Sequence, residues 1–273
     1  MTDSIALKSG YSEVNGLKMY YEIYGHGQPL LLIHGGGSTI QTSFGRIIPQ
    51  LAKHRQIIAV ELQAHGRTND RNTDLTFEQD ADDVAKLLKN LEITKADFLG
   101  FSNGGHTTIE IAIRHPDLVN KIILCSTFYK RSGVFPQFWE GFNGKVQFSN
   151  MPQAYKDEFL KINNNPSALM NMFNKDVHRM LVFKDWSDEQ IKLIKAPALV
   201  INGDADVGSP EHAVEMYRIM PNCELAIIPG GHGKYIGEIT TLSNDSRDTN
   251  FIVPIIEEFL DKVVQPSVIS IIN

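Results

Sequence analysis

The sequence predicts an α/β protein, a mostly parallel eight-stranded sheet with helices on both faces and one helical insertion. Three observations carry that expectation. Short apolar runs alternate along the chain with segments whose apolar residues recur at helical spacing. Two runs near the start flank Asn15-Gly16, a strong hairpin signal. The alternation then lapses over residues 128–195, which hold many Met and aromatic residues and no strand pattern.

Each element has its own reason. Residues 11–14 and 17–24 form the hairpin, because both central turn positions need φ > 0, which Asn and Gly tolerate. Residues 29–33 are apolar throughout, as a strand buried on both faces requires. Phe44, Ile47, Ile48 and Leu51 fall on one face of a helix. A strand over 56–62 leads to a helix with Phe77, Ala81, Val84, Leu88 and Leu91 on one side. Strand 96–101, helix 103–115 and strand 119–126 continue the rhythm. After the insertion, strand 196–202, helix 210–220, strand 224–229 and helix 252–264 complete it. The division is therefore a core of residues 1–127 and 196–273 and a helical cap of residues 128–195. Phe138, Met151, Phe173 and Met180 in that cap suit either its own core or a ligand, and the sequence leaves both open. Asp80, Asp82 and Asp83 open a helix, where the dipole favours negative charge, and are expected to face solvent.

Composition removes several functions. With 26 Lys and Arg against 32 Asp and Glu, the net charge of −6 argues against a nucleic-acid partner. A chain of this length buries about three-quarters of its unfolded surface, so it needs neither disulfides nor a structural metal. Cys125 and Cys223 form no metal or redox motif and suit a reducing compartment. No apolar run approaches the roughly 20 residues that span a bilayer, and the start lacks the pattern of a signal peptide. A cytoplasmic protein without membrane partner, metal or cofactor is expected, in which the Asn244-Asp245-Ser246 sequon is a chance match. The apolar tail 268–272 is expected to pack on the body or on a second copy, as a homodimer.

The chemistry gathers at strand ends. Gly100-Phe101-Ser102-Asn103-Gly104 places Ser102 between a strand and a helix, on a tight turn that exposes its hydroxyl. The glycines relieve crowding in such a turn, and the helix N-terminus beginning at Asn103 favours an oxyanion. His34-Gly35-Gly36-Gly37 follows another strand, and its backbone N–H groups can approach a ligand closely. No GK[ST] follows, so a phosphate cradle of the P-loop kind is excluded. Serine needs a base and an orienting acid to attack at neutral pH. Gly203-Asp204-Ala205-Asp206 and Gly230-Gly231-His232 supply them, each at the carboxyl end of a strand. His65, His106 and His115 are expected to be structural.

On these residues the chain resembles α/β-hydrolase-fold enzymes of the capped serine esterase and lipase branch, whose helical cap follows the sixth strand. The resemblance extends over about residues 12–264 and includes the order serine, acid, histidine along the chain. It implies a triad of Ser102, Asp206 and His232, with Asp204 shaping the turn, and an oxyanion hole from the N–H groups of Gly36 and Asn103. Residues 61–68, Glu-Leu-Gln-Ala-His-Gly-Arg-Thr, are similar to the family's D-x-x-G-H-G-x-S loop, with Glu61 and Ala64 replacing Asp and Gly. Residues 234–248 are longer than usual and are expected to form a surface loop that covers or borders the site. The implied activity is hydrolysis of small carboxylic esters or related acyl and lactone substrates through an acyl-enzyme. Carbon–carbon bond hydrolases of the meta-cleavage type and cofactor-free perhydrolases (haloperoxidases) share the same elements. So do small-molecule receptors that keep the triad but turn over slowly.

Overall fold

Eight strands form one sheet in the order β1-β2-β4-β3-β5-β6-β7-β8 in a computed structural model that describes residues 6–142, 146–242 and 251–263. The hairpin is β1 (Lys8–Val14) and β2 (Leu17–Tyr24), closed by Asn15 at φ +47° and Gly16 at φ +79°. β3 (Pro29–Ile33) leads through α1 (Ile40–Phe44) and α2 (Ile48–Leu51) to β4 (Gln56–Val60). The single helix expected there is thus broken in two. Gly45 caps the first piece, and Pro49 sits in the first turn of the second, where its missing N–H is not needed.

Then come α3 (Phe77–Asn90), β5 (Ala96–Phe101), α4 (Asn103–Arg114) and β6 (Val119–Cys125). Between β6 and the next strand lie α5 (Pro136–Phe142), α6 (Gln153–Ile162), α7 (Pro166–Leu181) and α8 (Asp188–Lys192). β7 (Ala198–Gly203), α9 (Pro210–Ile219), β8 (Cys223–Ile228) and α10 (Ile252–Asp261) close the chain's described part. From β3 to β8 neighbouring strands are parallel; only the hairpin runs antiparallel to its neighbours. Expectations for residues 243–248, 264 and 268–272 fall outside the described residues.

Strand alternation sorts the core into two layers. Leu31, Ile33, Phe98, Leu124 and Val200 point to one face, under Val84 and Leu88 of α3, Ile109 of α4 and Met216 of α9. Leu30, Leu32, Leu99, Ile123 and Ile201 point to the other, under Phe44 of α1 and Ile256 and Phe259 of α10. Both faces are covered, which is why β3 reads as an unbroken apolar run, while the polar residues of β5, β6 and β7 (Asp97, Asn120, Lys121 and Asn202) sit near strand ends. Truncating any of these buried leucines to alanine would cost about 2–5 kcal/mol. The insertion divides its apolar residues: Trp139, Met180, Phe183 and Trp186 join the first layer, while Met151, Phe159, Leu169 and Met172 pack among themselves.

One expectation is overturned. Asp80 and Asp83 are buried rather than solvated, Asp80 against Arg179 at 2.8 Å and Asp83 against Arg71 and the Asn15 amide. Only Asp82 is partly exposed, paired with Arg114 and His115. The helix dipole explains acids at this position, but two long-range arginine pairs, invisible to local spacing, pull them inward.

Candidate active site

The strand order reverses at β3, which lies between β4 and β5, and the crevice beyond the carboxyl ends of β3 and β5 is where open α/β sheets place ligands. Ser102 projects there from a turn with φ +53° and ψ −120°, a strained conformation for a residue with a Cβ. The turn is held by backbone: Ser102 N–H donates to Cys125 O (2.9 Å), and Gly105 N–H donates to Ser102 O (2.8 Å). Its glycines are demanded by contact. A Cβ on Gly100 would lie 2.2 Å from Gly104 O, and one on Gly104 would lie 2.0 Å from Ile33 O.

The expected acid and base, Asp206 and His232, meet across the ends of β7 and β8. His232 Nδ1–H donates to Asp206 Oδ1 at 2.6 Å, which leaves Nε2 free as an acceptor, and the ring lies against Phe101 with centroids 4.8 Å apart. Asp206 is buried and fully solvated by protein: Val207 N–H (2.7 Å) shares Oδ1, while Ser126 Oγ–H (2.5 Å) and Gly203 N–H (3.2 Å) donate to Oδ2. Burial pushes this carboxyl up, but the His232 bond and charge, with Ser126 and Gly203, outweigh it and hold the carboxyl below its usual range. Asp204 instead accepts Gly230 N–H at 2.7 Å and fastens the β7 and β8 turns together. The structure therefore pairs His232 with Asp206. Ser102 Oγ makes no hydrogen bond among the described residues, but it opens onto the same cavity as His232.

The glycine loop after β3 lies against the elbow: a Cβ on Gly35 would be 3.2 Å from Ser102 Cβ, and one on Gly36 would be 2.5 Å from Asn103 Nδ2. Gly35 N–H points to Ser43 Oγ and Gly37 N–H donates to Asp176 Oδ2 at 2.6 Å. Among the described residues the N–H groups of Gly36 and Asn103 have no acceptor. Two donors without an acceptor thus belong to residues that line the same cavity as Ser102.

Behind the loop two histidines, their centroids 4.8 Å apart, take opposite charge states. His34 Nδ1–H donates to Gly35 O (2.7 Å), while Nε2 accepts Leu62 N–H (3.0 Å), so the ring is neutral. His65 faces an acceptor at each nitrogen, Gln63 O at 2.8 Å and Asp176 Oδ2 at 2.8 Å, and satisfies both only as an imidazolium. Burial, then the His65 charge, lowers His34 to about 3. For His65 burial opposes the charge, but Asp176 overcomes it and raises the ring above its ordinary range. In the loop carrying His65, Ala64 takes φ +65°, and Glu61 accepts Arg67 N–H at 2.6 Å.

The cavity holds 360 Å³ and is roofed by the insertion through Phe138, Phe142, Met151, Tyr155, Phe173 and Met180. Ser102, Asn103, Gly36, Gly37 and His232 form its floor, and Asp176 is the one carboxylate among the described lining residues. A shallower groove of 890 Å³ runs along α3 and the end of α4 and contains none of them. Of the expected bordering loop, Ile239–Thr241 packs on α6, where Tyr155, kept protonated by burial and by Glu238, lines the cavity. The sequence does not single out Ser126, Asp176 or Arg179. Ser126 belongs to no motif; its signal is a φ of +53° at the end of β6, seen only in three dimensions. Among the described residues no group of three or more His, Cys, Asp or Glu could hold a metal, and no helix is long and apolar enough to cross a membrane.

Comparison with known proteins bears on the fold and the family. The human serine hydrolase BPHL is 24% identical over 247 residues, covering 85% of this chain and 84% of that protein. The 2-hydroxymuconate semialdehyde hydrolase of Pseudomonas sp. strain CF600 is 34% identical over 113 residues, which span 40% of each chain. The meta-cleavage product hydrolase CumD of Pseudomonas fluorescens IP01 superimposes with a TM-score of 0.75 at 22% identity, covering 93% of this chain and 97% of its own. The model of the α/β-hydrolase fold family matches residues 28–238, and the chain belongs to that family.

Proposed function

We propose that the chain is a serine hydrolase acting on small, uncharged carboxylic esters or lactones through an acyl-enzyme, without a cofactor. The observation that carries this reading is the 2.6 Å bond from His232 to a buried Asp206, beside a serine held at φ +53° on the floor of the same cavity. As Ser102 Oγ attacks the carbonyl carbon, His232 Nε2 takes its proton, and Asp206 stabilises the imidazolium through Nδ1. The N–H groups of Gly36 and Asn103 receive the oxyanion, each donor being worth about 2.7–4 kcal/mol. The tetrahedral intermediate collapses as His232 returns the proton to the leaving alkoxide. Water then repeats the cycle on the acyl-enzyme and releases the acid.

Carbon–carbon hydrolysis is the second reading, favoured by the relatives of the meta-cleavage type. One related structure is of a hydrolase whose named substrate is a dienoate, which carries a carboxylate. The described lining here contains no Lys or Arg to pair with a substrate carboxylate, which favours substrates without an acid group. A panel of p-nitrophenyl esters, simple lactones and a dienoic-acid substrate separates the readings. Fast turnover of short neutral esters, with a fluorophosphonate adduct mapped to Ser102, is the expected result. Labelling at another residue, or undiminished turnover by Ser102→Ala, would overturn it. Preferred turnover of the dienoic acid would select the second reading, and peracid formation from acetate and peroxide the perhydrolase.

A further inference from the structure

We propose that Asp176, a residue of the insertion, is a positioning residue for the oxyanion hole, so that the roof of the cavity sets the catalytic competence of its floor. This rests on the serine hydrolase reading above. Three features converge on the carboxylate. It reaches from α7 across the chain to accept the Gly37 N–H at 2.6 Å, and its Oδ2 would lie 3.5 Å from a Cβ on Gly36. That bond occupies the Gly37 donor and fixes the Gly36–Gly37 peptide. This peptide shares the Gly36 Cα with the Gly35–Gly36 peptide, whose N–H is the loop donor left without an acceptor, among the described residues, beside Ser102. The carboxylate is itself fixed from behind, by His65 Nε2–H at 2.8 Å and by Arg179, whose Nη1 donates to the buried Asp80 at 2.8 Å.

The charge arrangement explains why this cluster is ionic. A lone carboxylate bordering the oxyanion site would oppose the negative charge that develops there. Here Asp176 and Asp80 are balanced by His65 as imidazolium and by Arg179, so the group is formally neutral while its hydrogen bond to the loop keeps the strength of a charged acceptor. A latch needs none of this. Lys175, the neighbouring residue of α7, ties the insertion to the core by bonds to Asp70, Arg71 O and Thr73 O and touches nothing in the oxyanion loop. It is the natural control.

The test compares two inhibitors on the same variants: an alkyl trifluoromethyl ketone, which forms a tetrahedral oxyanion adduct with serine, and the carboxylic acid product, which does not. A peptide displaced by a fraction of an ångström to 1 Å costs up to about 100-fold in rate. Asp176→Ala is therefore expected to weaken the ketone about 10–100-fold and lower kcat in parallel, with product affinity and KM within about twofold. His65→Gln, which leaves the carboxylate undercompensated, is expected to shift the same ratio in the same direction, and Lys175→Met to leave it unchanged while lowering Tm. Asp176→Asn, of the same shape, gives the reading should the alanine variant not fold. Equal loss of both inhibitors in Asp176 and Lys175 variants, or an unchanged ratio in Asp176→Ala, would overturn the proposal. Absence of any Ser102 adduct in the unaltered protein would instead refute the serine hydrolase reading on which it stands.

Discussion

The floor and the roof of the cavity are built by different means. The floor is backbone: a strand, a strained turn and a helix, with glycines where carbonyl oxygens approach to within 2.2 Å of an added Cβ. The roof is side chains: aromatic and Met residues facing inward, and charged residues of α7 that bond to partners about a hundred residues away. A floor of that kind can be written in a short motif, because the chain neighbours are also the spatial neighbours. A roof of that kind is written nowhere locally. Its specificity is set by packing, and packing tolerates substitution as long as volume is kept.

The largest expected effect tests the floor. Asp206→Asn should lower kcat about 10⁴-fold, equivalent to about 5 kcal/mol, while Asp204→Asn, which loosens one turn bond, should cost no more than about tenfold. Esterase kinetics on the two proteins decide it; the reverse order would move the acid to Asp204.

Next comes the joint between floor and roof. Burial favours the neutral acid, but His65 and Arg179 hold Asp176 well below its ordinary range, so its contribution to stability is present above about pH 4 and lost as pH falls through the folded value. His65 is raised, so its contribution is complete below about pH 6.5 and lost as pH rises through its folded value. The stability lost in Asp176→Asn should therefore be largest between those limits, about 3 kcal/mol, and shrink on both sides. Denaturant unfolding of the two proteins at a series of pH values measures it. A difference independent of pH would mean that the pair is not ionic.

A smaller effect tests whether floor elements outside any motif matter. Ser126→Ala removes one of the donors that hold Asp206 in its ionised form, so the Asp206 pKa should rise and kcat fall about tenfold, with KM unchanged. A pH–rate profile and steady-state kinetics check both. The smallest concerns Ala64, which carries a Cβ at φ +65° beside His65. Ala64→Gly should relieve the left-handed strain and stabilise the protein by about 0.5–1 kcal/mol, read as a rise in Tm. A fall in Tm would mean that the Ala64 methyl packs better than its strain costs.

These contrasts also account for what was legible in the sequence. β3 and β5 run over the residues expected, 29–33 and 96–101: β3 is apolar throughout, and the one charged residue of β5, Asp97, lies near its start and pairs with Arg55. Ser102, Asn103, Gly36, Asp206 and His232 come together because each follows directly on a recognisable strand. The helix expected through 44–51 divides because Gly45 stops it, which apolar spacing does not register. Asp80 and Asp83 go inward, and Asp176 reaches the glycine loop, because their partners lie 99, 12 and 139 residues away. Apolar periodicity registers none of these polar pairs, and two of the three lie far beyond any local window.

The sequence separation of those contacts has a kinetic consequence. The serine elbow closes within a few residues, but Asp206 meets Ser126 across 80 residues and Gly37 meets Asp176 across 139. Loops of that length close late in folding, after local helices and turns have formed. During refolding, recovery of turnover should therefore lag behind recovery of helical signal. Activity then serves as a clock for the last docking event rather than for the first.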